Sequence, residues 1–592
     1  MSFPIPDVLR RSSGRLAASA VMLAVALVPH GIATAGGASA NPFCQRIANH
    51  QIAASSGAYM YCLGPQAGSG GSHSPVIRSY GNNVDAANIH EDVTPSGVRG
   101  YGQSETSIAS TGSYVVEEWN DSTGFFAPCP SPMNKEELSG YGFSNNGGTS
   151  FTDQGGVPNS NCSAFRAGGD PSVEAWQTGG SSYFYMSSLY NSTTGTGPSF
   201  VALTACKVNG SGSSAHLGCS QPIRAAQSSE CTKFGSFTFC NFLDKEFLTL
   251  DPQRGRLYIS YTEFGSSPTG KAKAGQIELA TCDIGTPSGG TGPSGGTAAT
   301  PVCTQPVSSG NTAPPYLVIA PGGVCENEGA YPAVDERTGD VYVAYEYNWA
   351  TNFESPACEG NPTRDVVNRI PHSCLTNTSP STCSGPFTNT SVFVTSMDTA
   401  FVPGYNRFPA NDFPRIAVSE HKGTVSVVWN DTRNNPAGDI LLKSFSLGGL
   451  APLQTFPVQV NTDRCSGGST CHFHFLPGVR YANGDGNLDV SWYDGRLRSP
   501  HSSSGLMDVY AATEVDPTAS TTPASNTRVT DVSSDWFSTS SDIVPNFGDY
   551  TDNYISELPS TGPSYRGMND FVAWSDGRLQ VPQPFAAKAA TG

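Results

Sequence analysis

The chain has 592 residues, 37% hydrophobic and only 14% charged, with 65 Gly and 44 Pro. That balance is too apolar and aromatic for a disordered polymer and too interrupted by turn formers for a helical bundle, so it points to many short strands. Forty-nine acidic residues against 32 basic ones give a net charge of −17, which excludes nucleic acid and anionic membrane surfaces as partners because both need clustered Lys and Arg.

Residues 1–40 read as a signal peptide. Arg10, Arg11 and Arg15 precede an apolar run, 16–28, that is too short to span a bilayer. Small-residue cleavage sites follow at Ala33-Thr34-Ala35 and Ala38-Ser39-Ala40, the second preferred, so the mature chain begins near Asn41. No later stretch has the length and apolarity of a membrane span. The expected product is secreted, extracellular and monomeric. Residues 41–100 form an N-terminal extension, and 101–592 the main domain.

Past residue 100 one pattern recurs: a short strand, a Gly-containing turn, then a strand ending in an aromatic residue and an acid or amide. In chain order the copies span 105–121, 170–189, 246–263, 331–347, 413–418 with 424–431, 475–479 with 488–494, and 549–578. Their starts fall roughly 60–90 residues apart, the span of a four-stranded blade with long loops. The expected fold is all-β, a β-propeller of four-stranded blades, seven in number with six as the alternative. Each hairpin supplies a blade's two inner strands, and the outer pair follows, as in 439–445 and 455–460. After the last hairpin the chain has room for one more strand. The missing outer strand is expected from about residues 74–84, which would close the ring and remove an open sheet edge.

All sixteen cysteines lie after the cleavage region, and an even number in an exported chain implies disulfides. Pairing of chain neighbours is expected: Cys44–Cys62, Cys129–Cys162, Cys206–Cys219, Cys231–Cys240, Cys282–Cys303, Cys325–Cys358, Cys374–Cys383 and Cys465–Cys471. No Cys/His spacing suits zinc.

Four copies end in Trp-x-Asp: Trp119-Asn120-Asp121, Trp429-Asn430-Asp431, Trp492-Tyr493-Asp494 and Trp574-Ser575-Asp576. The last three add Arg433, Arg496 and Arg578 two residues on. An Asp there can accept turn amides while the Arg pairs with it, so this is turn architecture, and its repetition in several blades suits a fold device better than one active site. The run Asn483-Gly484-Asp485-Gly486-Asn487-Leu488-Asp489 alternates oxygen donors as a structural Ca²⁺ loop would, but Asn-Gly and Asp-Gly are also preferred hairpin turns, and the turn is the favoured expectation. No other cofactor is implied.

Ser144-Asn145-Asn146-Gly147-Gly148-Thr149-Ser150-Phe151 follows the Asp-box pattern, with Asn146 in the Asp position. On this motif and the repeat, which covers most of the mature chain, the sequence resembles the non-viral sialidase-like superfamily of Asp-box (BNR) propellers. In that family the Asp box joins outer strands and lies away from the chemistry, so it implies fold only. Sialidases have six blades and begin from a Phe-Arg-Ile-Pro string. The nearest string here, Phe413-Pro414-Arg415-Ile416, sits in a late repeat, so the family's arginine triad, nucleophile and acid are not carried over.

Polar residues recur where the inner strands start: Glu105, Asp170, Asp244 with Lys245 and Glu246, Glu328, Asp412, His474, and Asp549 with Tyr550. Strand starts ring one mouth of a propeller's central channel, so residues remote in sequence can converge there. The candidate catalytic residues are Asp170, Asp244, Glu246, Asp412 and Asp549. Glu105, Glu328, Arg415, His474 and Tyr550 are the candidate substrate contacts, and no metal ligands are assigned. Two classes fit: a glycoside hydrolase or other polysaccharide-active enzyme using two of these carboxylates on an extracellular glycan, and a non-catalytic binding or scaffold propeller. The resemblance tips the expectation toward the hydrolase.

Overall fold

A computed structural model describes residues 41–48, 62, 83–90 and most of 100–590. Outside it lie 127–136, 235–236, 266–274, 286–292, 304–316, 324, 349–357, 359–360, 376–382, 384–385, 397–401, 408–410, 467–470, 482–485, 498–504, 524 and 556–568. The signal peptide, Cys129 and the first part of the Ca²⁺-like run therefore lie outside the described residues.

Seven of the sheets are blades of antiparallel strands, and Cys231–Phe234 with Phe237–Cys240 form a separate two-stranded hairpin. The two innermost strands of the blades are Gln103–Thr111 and Tyr114–Asp121 in blade 1, Ser172–Thr178 and Ser181–Ser192 in blade 2, and Phe242–Asp251 and Arg256–Phe264 in blade 3. Blades 4 to 7 follow with Asn327–Asp335 and Asp340–Tyr347, Arg415–Ser419 and Thr424–Asp431, His474–Tyr481 and Leu488–Asp494, and Asp552–Ile555 and Asn569–Asp576. The innermost strand of each blade packs on those of its two neighbours, and blade 7 returns to blade 1, so the ring is closed. Seven blades are present, not six.

Period-two alternation builds the wall between blades. In Thr424–Asp431, Val425, Val427 and Trp429 face the blade 4 side with Tyr342, Ala344 and Val367. Val428 on the same strand faces the blade 6 side with Val479, Val490 and Trp492. Because both faces are covered, this strand is buried at every position, and each large apolar side chain so removed from water contributes about 1.5–3 kcal/mol.

Blade 7 is completed by the far end of the chain: Val84 and Asp85 pair with Ala586 and Phe585. Asn83 anchors this strand by donating to the Val529 carbonyl and accepting from the Asp531 amide and the Arg578 guanidinium, at 3.1, 2.8 and 2.8 Å. A chain beginning at residue 100 should therefore melt at least about 5 °C below the mature protein. An unchanged melting curve in differential scanning fluorimetry would show that the pairing does not hold the ring.

Seven of the expected disulfides are formed, each between chain neighbours, and Cys162 is also disulfide-bonded. The first ties down the helix Pro42–Ala48, whose Phe43 stacks on Phe242 of blade 3 with ring centroids 4.6 Å apart. No described helix is long and apolar enough to cross a membrane.

The Trp-x-Asp-x-Arg strings are the turn device expected. Trp429, Trp492 and Trp574 donate Nε1–H to Asp431, Asp494 and Asp576 at 2.9, 2.8 and 2.7 Å. The same acids accept the amide of the Arg two residues on, each at 2.8 Å. The middle residue reaches the next blade: Asn120 Oδ1 accepts from the Asp170 amide of blade 2 and Asn430 Oδ1 from the Leu476 amide of blade 6. Ser144 and Asn146 fold the turn between the outer strands Ser139–Ser144 and Thr152–Gly156, where Ser144 accepts the Gly148 amide and Asn146 the Ser150 amide.

Candidate functional site

Six of the seven inner strands start with an irregularity. Pairing with the second strand shifts between Ser104 and Ser107, Asp244 and Phe247, Glu328 and Tyr331, and Phe475 and Gly478. The first residue inside each shift is left-handed: Glu105 (φ 56°), Lys245 (φ 51°), Gly329 (φ 69°) and Leu476 (φ 50°). Asp170 (φ 59°) and Gly548 (φ 75°) have the same conformation in blades 2 and 7. Such a bulge turns the strand end and re-aims its side chains. At Gly548 only glycine fits, because a Cβ would lie 2.5 Å from the Glu105 backbone nitrogen. Outside glycine this conformation costs of order 1–3 kcal/mol, and three of the four non-glycine examples here are charged.

Those charged residues meet at the axis. Glu105 Oε2 accepts from Asn120 Nδ2 at 2.7 Å and its Oε1 from the Asp549 amide at 3.1 Å. Asp170 Oδ2 accepts the Lys245 amide at 3.4 Å. Lys245 Nζ stands 2.5 Å from Asp549 Oδ2, and Arg407 Nε lies 3.1 Å from the other oxygen. Burial, then the Asp170 and Asp549 carboxyls, hold Glu105 well above the usual carboxylate range, and its carboxyl is in hydrogen-bond contact with Asp170. Burial, then Asp170, does the same to Glu246. Burial alone would lower the Lys245 ammonium, but Asp549, Glu105 and Asp170 push it up. The outcome is an acid whose charged form is disfavoured, beside a Lys245–Asp549–Arg407 group held together by ion pairs.

Residues 402–407 and Asn411, from the connection between blades 4 and 5, lie over this group. The Tyr405 hydroxyl donates to the Gly548 carbonyl at 2.6 Å and the Asn411 side chain to the Asp549 carbonyl at 2.9 Å. Asn406 and Asn546 exchange amide-to-side-chain bonds at 3.1 and 2.7 Å. As a result Glu105, Asp170 and Glu246 are 0% exposed and Asp549 2%, so the channel mouth expected from the strand starts is covered.

Below the group the channel is filled. The guanidinium of Arg415 lies 4.4, 4.7 and 5.1 Å from the ring centres of Phe247, Tyr331 and Tyr550, and burial holds it below the ordinary arginine range. The Tyr550 hydroxyl donates to the Pro171 carbonyl. Arg415 and Tyr550 thus plug the axis and do not face an open cleft.

Four expected residues stand elsewhere. Ladder pairing places Asp244 and Glu328 one residue before the bulge, and a one-residue step in a strand reverses the face. Glu328 joins the blade 4 acids described below with Asp412, and Asp244 is fully buried beside them in sequence but not in the triad. His474 is two residues before the left-handed Leu476 and leaves the axis altogether. It is fully buried, with Nδ1 2.8 Å from the Gly438 carbonyl and Nε2 3.0 Å from Asp463 Oδ2. Both ring nitrogens therefore face acceptors, as in an imidazolium. Burial alone would lower His474, yet Asp494 and Asp463 carry it above its usual range. Asp463, His474 and Asp494 could offer three ligand atoms to a metal, but Arg496 already bridges the two acids at 3.0 and 2.6 Å. In the Ca²⁺-like run, Asn487 Oδ1 accepts from Lys422 Nζ, which suits a turn. Arg407 and Tyr405 were not foreseen, since their connection carries no repeat.

Fold and closure define the class, a seven-bladed β-propeller. No protein-family model matches the chain, and no curated protein matches it in sequence. Among solved structures it is similar to the α-L-arabinofuranosidase Arb93A of Fusarium graminearum, at 10% identity and TM-score 0.38 over 73% of this chain and 96% of that one. It is also similar to the Trypanosoma rangeli sialidase, at 9% identity and TM-score 0.34 over 87% of this chain and 58% of that one. At such values substrate and activity do not follow from the likeness.

Proposed function

We propose that the protein is an exported, carbohydrate-active propeller that cleaves a glycosidic bond of an extracellular glycan at the axial cluster. The observation that carries this is the pair of carboxyls in opposite surroundings, Glu105 buried among acids that hold it well above the usual carboxylate range and Asp549 set between the cations Lys245 and Arg407. Environments that push two acids apart supply a proton donor and a charge-stabilising partner. Glu105 would protonate the leaving oxygen, and Asp549 with Asp170 would face the developing positive charge. Substrate reaches them only when 402–407 moves aside. The disulfides suit an oxidising, extracellular setting.

A screen of oligosaccharide and polysaccharide hydrolysis on the mature protein tests this. Glu105→Gln should lower kcat by about 10²–10⁴-fold while the circular dichroism spectrum stays unchanged. Complete burial of the acids favours a second reading, a non-catalytic propeller with an ionic axle. That reading is correct if no glycan is cleaved and Glu105→Gln changes only the melting temperature.

A further inference from the structure

A line of acids runs along blade 4 toward blade 5. Glu328, Glu346 and Asp365 are directly paired across its first three strands, the third strand being Arg364–Ile370. Pairing puts the three side chains on one face with Cβ atoms about 4.5–5.5 Å apart, an arrangement that like charges destabilise. Asp412, just ahead of the inner strand of blade 5, closes the line with its carboxyl in hydrogen-bond contact with Glu346 and close to Asp365. All four are 0% exposed. Among the described residues, no N–H group and no Ser, Thr or Tyr hydroxyl donates to either oxygen of Glu328, Glu346 or Asp365.

The charges that face this line are few. Beside Glu328 are Glu326, Lys245 of blade 3 and Arg407 of the connection between blades 4 and 5. Beside Asp365 are Asp431 and Arg433 of blade 5. Each cation is already committed, Lys245 and Arg407 to Asp549 and Arg433 to Asp431. Glu328, Glu346 and Asp365, dry and without a spare cation and with the Asp412 carboxyl against them, cannot all be ionised together with it.

We propose that Glu328, Glu346, Asp365 and Asp412 form a chain of protonated carboxyls that clamps blade 4 to blade 5 in acid and loosens as the pH rises, so that the protein is built to work in acidic surroundings. The direction follows from linkage. Burial, followed by the neighbouring acids, holds Glu328, Glu346 and Asp365 well above the usual carboxylate range. A group raised in the folded state contributes stability that is complete below its unfolded value and is lost as the pH climbs through the folded one. The same sign applies to Glu105 against Asp170 and to Glu278 against Glu263. Asp463 and Asp516 are held below their usual range and carry the opposite sign. The clamp does not depend on whether the axial cluster is catalytic.

Thermal melts of the mature protein between about pH 5 and about pH 8.5, at constant ionic strength, test the clamp. The melting temperature should fall by at least about 5 °C across that range. Glu346→Gln and Asp365→Asn, neutral side chains that can still donate, should flatten the fall. Infrared difference spectra of the wild type near neutral pH should show the carbonyl stretch of protonated carboxyls, weakened in Glu346→Gln. If the variants fail to accumulate, the direction of the wild-type melting shift with pH decides, because Glu105 and Glu246 also contribute to the band. A melting temperature that stays level or rises with pH overturns the proposal, as does absence of the band. Millimolar Ca²⁺ restoring the acid melting temperature at alkaline pH, with EDTA lowering it in acid, also overturns it and assigns the seam to a cation.

Discussion

Replacing Lys245 with methionine should cost about 3–5 kcal/mol of stability, the loss typical when one partner of a buried ion pair is removed. Lys245 is 1% exposed, and its ammonium is 2.5 Å from Asp549. Methionine keeps the length of the side chain and its apolar stem, so the change isolates the charge. Asp549 would keep only Arg407, and Glu105 and Glu328 would lose the attraction that Lys245 exerts on them. Both acids would then rise further and hold their protons to higher pH. The deficit should therefore be largest near about pH 8 and shrink toward about pH 5, where protonation relieves the unpaired acids. Denaturant titration at the two pH values measures it. A loss under about 1 kcal/mol at the higher pH would mean that Arg407 alone satisfies Asp549.

Asp494→Ala should be of similar size, about 3–5 kcal/mol. Asp494 is fully buried. It accepts the Trp492 indole, the Arg496 amide and the Arg496 guanidinium within 2.9 Å, and His474 lies 3.6 Å away. Alanine orphans a buried indole N–H and leaves two cations sharing Asp463. Asp494→Asn retains an acceptor for the indole and should lose about half as much. Because Asp494 is the foremost group raising His474, the imidazolium of the alanine variant should give up its proton at lower pH, which the histidine ring resonances in NMR would report. Stability of Asp494→Ala within about 1 kcal/mol of wild type would remove the Trp-x-Asp string from the forces that hold the blades.

What the chain made legible follows from the range of the interactions. Trp429, Asp431 and Arg433 bond to one another within a few residues, so their purpose can be read without knowing the fold. The inner hairpins were equally plain, since alternation such as Thr424–Asp431 leaves few other structures possible. The axial group was legible only by position. Glu105, Asp170, Glu246 and Asp549 were found by lining up strand starts, but the bulge that sets their aim is invisible in composition. Without it, His474 and Glu328 align with Glu105, although the ladder equates His474 with Gln103 and Glu328 with Ser104. Arg407 and Tyr405 had no signal, because a non-repeating connection is placed only by the tertiary contacts it makes. The burial of the whole group could not be read either, since it depends on that same connection.

Asp85 and Phe585 are neighbours in one sheet although they stand 500 residues apart in the chain. A ribosome adding about 5–20 residues per second makes the first of them on the order of 25–100 s before the second. Through that interval six blades can be complete, yet the molecule remains an open arc with a bare strand edge at each end, the kind of surface on which chains stick to one another. Only the last stretch of synthesis supplies Gln583–Ala590, the strand that the waiting N-terminal segment needs. A chain cut short by even its final dozen residues would leave that arc permanently open, so loss of the C-terminal tail should produce insoluble protein, not a slightly weaker fold.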